Sequence, residues 1–236
     1  SSQTSDHHPP ATPRAEVLSI SGMGRYDTAQ LTENQPEPGS RGQVLKNLLG
    51  IKDKREMDRV EAEALKQATD TVIRTYDAQH RFTAKDICKI HGVWLEGIYR
   101  WAGRYRQVNV EKGGFPFASA AHIPKLMEEL EQGPLREDTP CRSGPVEEVA
   151  SALSVVHTEL VLIHPFREGN GRVARLLASL MALQAGLPLL DFGLIKGGKR
   201  QRYFVAVQAG MKRDYRPMTR IFSEVIQKTL TGPARR

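Results

Sequence analysis

Apolar residues recur at intervals of three and four through most of this chain, a periodicity that predicts amphipathic helices. The helical pattern begins at Val44 and strengthens after Asp53, which resembles a helix cap. The apolar face of this first helix consists of Met57, Val60, Leu65, Ala68, Val72 and Tyr76. Thr83 and Asp86 form a capping-box signature for the next helix, which we expect to end near Gly103. Its apolar face consists of Ile87, Ile90, Trp94, Ile98 and Trp101.

Two long helices are predicted on either side of residues 164–169. The first extends from Val146 to Ile163 and has to end before Pro165, because proline disfavours α geometry in the preceding residue. The second begins at about Asn170 and is apolar on most of its sides, so we expect it to be central and buried.

Shorter helices complete the predicted bundle. A brief one with Pro124 in its first turn is followed by a loop over residues 133–145. Two more, at about 199–210 and 217–230, close the domain. The expected fold class is therefore all-α, a helical bundle around a buried central helix.

The strand signal of the sequence lies in residues 108–118. An alternating apolar pattern, a glycine-containing turn and an aromatic segment follow one another there, which predicts a short β-hairpin. Its residues of interest are Val108, Asn109, Val110, Lys112, Gly113, Gly114 and Phe115.

Composition divides the chain into three parts. Residues 1–43 are polar and rich in Ser, Thr, Pro and Gly, which predicts a flexible or docking N-terminal arm. We expect residues 44–231 to form one domain and 232–236 a C-terminal tail. Because no apolar run approaches the roughly 18 residues that span a bilayer, we expect a soluble, cytoplasmic protein without a membrane partner. Cys88 and Cys141 provide neither a disulfide framework nor the spacing of metal ligands.

The net charge of +7 is unevenly distributed. Residues 196–236 carry eleven Lys and Arg side chains against Asp214 and Glu224. Such an excess can attract nucleic acid, but aromatic stacking positions are sparse and no nucleic-acid-binding motif is present. We expect a solvated basic face, or cations that help to hold a polyphosphate, and no nucleic-acid partner.

The densest chemistry lies between the two long helices, where residues 164–172 read HPFREGNGR and Arg175 follows one turn later. Glycines allow close approach of the backbone to a ligand, and free N–H groups at a helix N-terminus bind anions. Arg172 and Arg175 share a helical face and can reach the outer phosphates of a nucleotide. Glu168 can hold Mg²⁺, and His164 has the ordinary pKa of a general base. Together these groups can position a polyphosphate, its metal and a base for in-line attack.

This string resembles the signature of the Fic family, His-Pro-Phe-x-Asp/Glu-Gly-Asn-Gly-Arg with a second Arg three residues later, at every defined position. Segments 47–51, 99–103, 112–117 and 203–217 are similar to the flanking elements of the family, in the same order. The resemblance covers about residues 44–230. It implies the Fic fold, in which the β-hairpin is a flap beside the active site.

The resemblance also implies an activity, the transfer of AMP from Mg-ATP to a Ser, Thr or Tyr hydroxyl of a target protein. In this reading His164 deprotonates the hydroxyl, Glu168 ligates Mg²⁺, Phe166 points into the core, and the flap aligns the target by strand-like pairing. The implied nucleotide-binding residues are Gly169, Asn170, Gly171, Arg172, Arg175 and Tyr203, with Gln208 and Tyr215 on the adenine side.

Many Fic proteins are restrained by a helix with the motif Ser/Thr-x-x-x-Glu-Gly/Asn, whose glutamate pairs with the second motif arginine, here Arg175. Thr12 to Glu16 and Ser143 to Glu147 have the first spacing, but neither completes the motif. Our hypothesis is that a small antitoxin supplies this helix in trans, or that the chain is an unrestrained effector secreted into a host cell. Toxins of the family often act on type II topoisomerases and its effectors on small GTPases, and these residues do not choose between them.

Three alternatives stay open. His164 can be a structural histidine at a helix end, although the nine-residue motif favours catalysis. A Fic-fold enzyme can transfer phosphocholine or phosphate instead of AMP. Relatives that do so usually alter the Asp/Glu-Gly-Asn-Gly portion of the motif, which is unaltered here at residues 168–171. The chain can also be a catalytically idle interaction module, against which the intact His164 argues. We expect His91 and His157 to be structural or solvent-facing.

Overall fold

The computed structural model describes residues 30–195 and 200–232. The predictions for residues 1–29, 196–199 and 233–236, which include most of the expected arm and tail, lie outside the described residues. Within the described part the chain is largely helical, which confirms the all-α fold class.

The helices follow the predicted order. They are α1 (Lys54–Thr75), α2 (Ala84–Leu95), α3 (Ile123–Leu130), α4 (Val146–Ile163), α5 (Asn170–Gln184), α6 (Arg200–Ala209) and α7 (Arg216–Thr231). Helix α4 packs against both α5 and α7. Ten of the fifteen residues of α5 are buried, which confirms that this helix is central.

The predicted start of the first helix at Val44 is wrong, because α1 begins at Lys54. The side chain of Asn47 explains the difference. Its amide donates to the carbonyls of Leu45 and Ile51, and its oxygen accepts from backbone N–H groups of the same segment, one of them that of Ile51 at 3.0 Å. These local bonds compete with helix formation. The Asp53 cap is confirmed, since its carboxylate accepts the N–H of Glu56 at 2.8 Å.

Helix α2 has the predicted capping box of Thr83 and Asp86, but it ends at Leu95 and not near Gly103. Residues 96–103 form turns that fold the chain back onto the helix. A Cβ at Gly103 would lie 3.4 Å from the Cα of Gly92, so the two backbones are in close contact. If α2 continued past Leu95, the chain would run on along the helix axis and could not fold back onto the helix. The apolar spacing alone does not reveal such a reversal, so the predicted end of α2 was wrong.

The segment 133–145 is also not a loop throughout. A π-helical turn, Glu131–Leu135, continues α3 and is followed by a single α turn, Arg136–Asp138. Pro134 has no N–H for the regular ladder, and Leu135 is fully buried. The helical turns therefore continue past the proline, and Leu135 packs into the core.

The β-hairpin is present but shorter than the predicted one. Strands β1 (Glu111–Lys112) and β2 (Phe115–Pro116) pair antiparallel, with Lys112 opposite Phe115. Gly113 and Gly114 have φ values of 57° and 76°, as a two-residue type I′ turn requires. Val108–Val110, predicted as the first strand, lies before β1, and Val110 accepts the N–H of Phe117 at 3.2 Å.

The described part of the predicted arm contacts the domain. Pro36 forms a β-bridge with Leu45, and the buried carboxylate of Glu33 accepts the backbone N–H of Gln107 at 2.6 Å. The bond from Gln107 attaches this segment to the chain just before the hairpin. Among the described residues, no helix has both the length and the apolar character needed to cross a membrane.

Candidate active site

The end of α4 determines where His164 points. His164 has φ 53° and ψ 58°, in the left-handed region, and its N–H donates to the carbonyl of Leu160 at 3.0 Å. A non-glycine residue in this region is strained by roughly 1–2 kcal/mol, and such strain is concentrated at functional sites. Pro165 follows, so the chain leaves the helix and crosses towards the start of α5.

Two contacts orient the imidazole of His164, a ring stack and a hydrogen bond. It stacks on Phe117 with ring centroids 3.7 Å apart, and its Nδ1 lies 3.2 Å from the carbonyl oxygen of Val161. With the proton assigned to Nδ1, which donates to that carbonyl, Nε2 keeps a free lone pair. Burial lowers the pKa of His164 to about 4, so the ring is neutral at pH 7. A neutral imidazole can accept a proton.

Glu168 provides a negative charge at the same cavity. Burial acts to raise its pKa, but the N–H of Gly169 at 2.8 Å and the charge of Arg172 outweigh this, so the pKa lies below its ordinary value. The carboxylate is half exposed. Mg²⁺ is often bound by one or two carboxylates, phosphate oxygens and water. Glu168 is thus the carboxylate at this cavity that could bind Mg²⁺ together with phosphate oxygens of a ligand.

Gly169 opens the N-terminus of α5 to a ligand. It is the N-cap of the helix with φ 86° and no side-chain cap, so the first N–H groups of α5 are available to an anion. A Cβ at this position would lie 2.5 Å from Cζ3 of Trp94, which only glycine avoids. Gly171, one residue inside the helix, lines the cavity.

Asn170 stabilises the loop. Its side-chain oxygen accepts the N–H of Phe166 at 2.8 Å, and its amide donates to the carbonyl of the same residue at 2.7 Å. This buried side chain does not line the cavity, which leaves only its backbone N–H for a phosphate.

Phe166 is fully buried, as expected, and stacks on His91 with centroids 3.9 Å apart. The N–H of Gly103 donates to Nδ1 of His91 at 2.8 Å, so Nε2 carries the proton and donates to the carbonyl of Glu168 at 3.1 Å. Burial lowers the pKa of His91 to about 4. His91 is therefore a buried structural residue, and its contact with the loop was not evident from the sequence.

The two motif arginines lie in different surroundings. Arg172 forms ion pairs with Glu61 at 2.7 Å and Glu168 at 3.2 Å, and its guanidinium lies 4.5 Å from the ring centroid of Trp94. Arg175 lines the cavity and forms no ion pair within 4 Å in the part of the chain that the structure describes. An anionic ligand would thus find Arg175 available and Arg172 already paired. No sequence pattern indicated this role of Glu61, which lies 111 residues from Arg172.

A cavity of about 450 Å³ brings most of the predicted residues together. It is lined by Lys112, Phe117, Val161, His164, Glu168, Gly169, Gly171, Arg172, Arg175, Phe192, Arg200, Tyr203, Phe204 and Val207. The hydroxyl of Tyr203 lies 2.7 Å from Nε2 of the buried His157. Gln208 is exposed, and Tyr215 donates to Glu159 at 2.6 Å, so neither lines the cavity.

The hairpin borders this cavity through its aromatic residues. Phe115 makes edge contacts with Phe117 and with Phe204 of α6, which both line the cavity, at centroid distances of 5.5 and 5.8 Å. Lys112 extends from β1 into the lining. Asn109 accepts the N–H of Ala120 at 2.9 Å, which fixes the start of the hairpin.

His164, Glu168 and Arg175 suit phosphate chemistry, and they line one cavity together with the N-terminal residues Gly169 and Gly171 of the buried helix α5. Such a set of groups can bind a phosphate-containing ligand. Comparison with known proteins agrees: residues 81–182 match the model of the Fic/DOC family. The chain therefore carries a Fic domain.

Two curated relatives have similar sequences. Protein adenylyltransferase VbhT of Bartonella schoenbuchensis is 32% identical over 164 residues, which cover 70% of this chain and 33% of that protein. Protein adenylyltransferase Fic of Nematostella vectensis is 33% identical over 175 residues, 71% of this chain and 37% of that protein. The chain thus spans about a third of the length of these relatives.

Solved structures share the fold. The BepC effector of Bartonella tribocorum, solved with AMPPNP, superposes with a TM-score of 0.68 at 24% identity and covers 83% of this chain and 97% of its own. The N-terminal Fic domain of a Bep effector of Bartonella quintana, solved with ADP, gives 0.62 at 25% identity, with coverages of 80% and 94%. Both are described as VirB-translocated proteins.

Proposed function

We propose that this chain transfers AMP from Mg-ATP to a hydroxyl side chain of another protein. Nε2 of His164 removes the proton of the hydroxyl, whose oxygen forms a bond to the α-phosphorus while the bond from that phosphorus to pyrophosphate breaks. Mg²⁺, held by Glu168, would neutralise charge on the phosphate oxygens. The N–H groups at the start of α5 and the guanidinium of Arg175 orient the phosphates.

The observation that carries this proposal is the common location of three groups. The free nitrogen of a neutral His164, the ionised Glu168 and the uncapped start of α5 all lie at one cavity. Its volume suits a ligand of nucleotide size. The adenylyltransferase names of the relatives, and the AMPPNP and ADP bound by similar domains, support the same activity.

The test uses ATP labelled at the α-phosphate, Mg²⁺ and a cell lysate, with His164→Ala as the blank. We expect a labelled protein band with the unchanged chain and none with the variant. Label supplied at the γ-phosphate should give no band that the blank lacks, because that phosphate leaves with pyrophosphate. A γ-labelled band that is absent from the blank would instead indicate phosphate transfer by this chain. ATP binding without any labelled protein would favour an idle interaction module.

We further propose that restraint comes from a separate small partner, an antitoxin. Arg175 is the residue with which an inhibitory glutamate would pair, and within the described residues it forms no ion pair. Glu147 is a poor candidate for restraint within the chain. It lies in the first turn of α4, and at 1.5 Å per residue it is roughly 24 Å from the end that carries His164.

This second proposal predicts that the purified chain is active by itself. It would be wrong if the chain were idle and became active on replacement of Glu16, which lies outside the described residues, or of Glu147. The target, a topoisomerase or a small GTPase, and the compartment, a bacterial or a host cytoplasm, stay predictions. Mass spectrometry of a treated lysate would identify the modified protein and its residue.

A further inference from the structure

Arg106 is an almost completely buried arginine between the hairpin and the end of α4. It is 2% exposed, and its guanidinium donates hydrogen bonds to four backbone carbonyls. Nε donates to His164 at 2.7 Å, Nη1 to Val108 at 2.6 Å, and Nη2 to Ala118 and, at 3.4 Å, to Ile163. We infer that Arg106 is a positioning residue for the AMP transfer proposed above, on which this inference rests.

The carbonyls that Arg106 binds lie on both sides of the catalytic imidazole. Those of Ile163 and His164 end α4, where helical carbonyls have no donor of their own. Those of Val108 and Ala118 flank the hairpin, and Ala118 directly follows the phenylalanine on which the imidazole stacks. One guanidinium therefore fixes the backbone beneath the base and the backbone beneath the ring that supports it.

A second contact joins the same two segments. The backbone N–H of Arg106 donates to the carbonyl of Pro165 at 2.8 Å, so the residue after the catalytic histidine is held as well. The strained left-handed conformation of His164 needs such support, because the residue would otherwise relax to a commoner conformation. Restraint from Arg106 thus determines the direction of Nε2 in the cavity.

The charge and the planar shape of the Arg106 guanidinium together explain why another donor would not serve. No described carboxylate forms an ion pair with it, and its nearest acidic influence is Glu33, which acts to raise the pKa. Burial lowers the pKa of Arg106 to about 10, so the side chain still carries its charge at pH 7. An isolated buried charge is costly unless it is fully hydrogen-bonded, and the planar guanidinium reaches several carbonyls at once. Lysine is a point charge on a flexible stem and cannot hold both segments.

The experiment compares Arg106→Lys and Arg106→Met with Arg81→Lys. Arg81 is a suitable control because it is exposed, lies outside the cavity lining and also donates to a backbone carbonyl, that of Arg136. For each protein we would measure the melting temperature, the stoichiometry and affinity of a non-hydrolysable ATP analogue with Mg²⁺, and the initial rate of label transfer against ATP concentration. Hydrogen exchange of the amides in residues 108–118 would report on the hairpin directly.

For folded Arg106→Lys we expect the maximal rate to fall by about 100-fold, as a base displaced by about 1 Å can cost this much. The KM for ATP and the affinity for the analogue should stay within about twofold, because Arg106 does not line the nucleotide cavity. Amides of the hairpin should exchange faster than in the unchanged chain, and Arg81→Lys should change neither rate nor exchange.

Two results would overturn the inference. One is a maximal rate within about twofold of the unchanged chain, and the other is a loss of rate matched by an equal loss of analogue-binding sites, which would indicate unfolding alone. If the unchanged chain transfers no AMP, the proposed function fails, while exchange and analogue binding still test Arg106. Unaltered hydrogen exchange of the hairpin amides in both Arg106 variants would then refute the positioning role of Arg106 independently of turnover.

Discussion

Gly169→Ala should be much more destabilising than the same substitution at Gly186, which lies just beyond the other end of α5. Both glycines have a positive φ, 86° and 79°, so alanine at either costs about 1–2 kcal/mol of backbone strain. At Gly186 nothing lies within 4 Å of an added Cβ, whereas at Gly169 the Cβ would lie 2.5 Å from Trp94. The difference between the two variants therefore isolates the steric clash.

The clash should add roughly 1–3 kcal/mol, the usual cost of overpacking a core. Trp94 has little room to move, because its Nε1 donates to the carbonyl of Glu61 at 2.9 Å and its ring supports Arg172. For a domain of this size, 1 kcal/mol corresponds to about 2–4 °C in melting temperature. Gly169→Ala should therefore melt roughly 2–12 °C below Gly186→Ala.

Urea unfolding of both variants, followed by far-ultraviolet circular dichroism, gives the two free energies of unfolding. The ATP analogue provides a second measurement, because displacement of Trp94 and of the helix start should weaken its binding in Gly169→Ala alone. Equal losses of stability in the two variants would refute the steric argument. So would unaltered analogue affinity in a folded Gly169→Ala protein.

Three other perturbations test the site. Arg175→Ala should weaken binding of Mg-ATP by about 10- to 150-fold, because it removes a charge-assisted contact worth about 1.5–3 kcal/mol, and isothermal titration calorimetry measures this affinity. Burial lowers the pKa values of His91 and His157 to about 4 and about 3. At a pH below the ordinary pKa of histidine, the unfolded chain therefore binds more protons than the folded one. Stability to urea should therefore decrease as the pH falls from neutral towards 4, by about 2 kcal/mol for each histidine between pH 7 and pH 5. Tyr99→Phe should lower the free energy of unfolding by about 1–3 kcal/mol, since it removes the donor to the buried carboxylate of Glu61 at 2.7 Å.

Each of these expectations has a control or a contrary result. Arg202→Ala breaks an exposed ion pair with Glu224 outside the cavity and should leave ATP affinity unchanged. Stability that is flat between pH 6.5 and 5 would mean that the buried histidines titrate normally. A Tyr99→Phe protein as stable as the unchanged chain would mean that the carboxylate of Glu61 finds another donor, such as water.

The sequence by itself determined the features that depend on neighbours along the chain. The caps of α1 and α2, the proline that ends α4 and the glycine turn of the hairpin act through residues two to four positions away. The motif between α4 and α5 is equally local, so its groups could be assigned to one site before any packing was known. Where a local signal was absent or outweighed, as at Asn47 or after Leu95, the predicted boundary was wrong.

Only the tertiary structure decided which distant residues hold the site in place. Glu61 reaches Arg172 over 111 positions, His91 reaches the carbonyl of Glu168 over 77, and Arg106 reaches that of His164 over 58. A buried charged or polar side chain needs partners, but the pattern along a helix says only which face is apolar, not which helix will cover it. These contacts depend on how α1, α2 and the hairpin pack around α4 and α5, and that packing is a property of the whole fold.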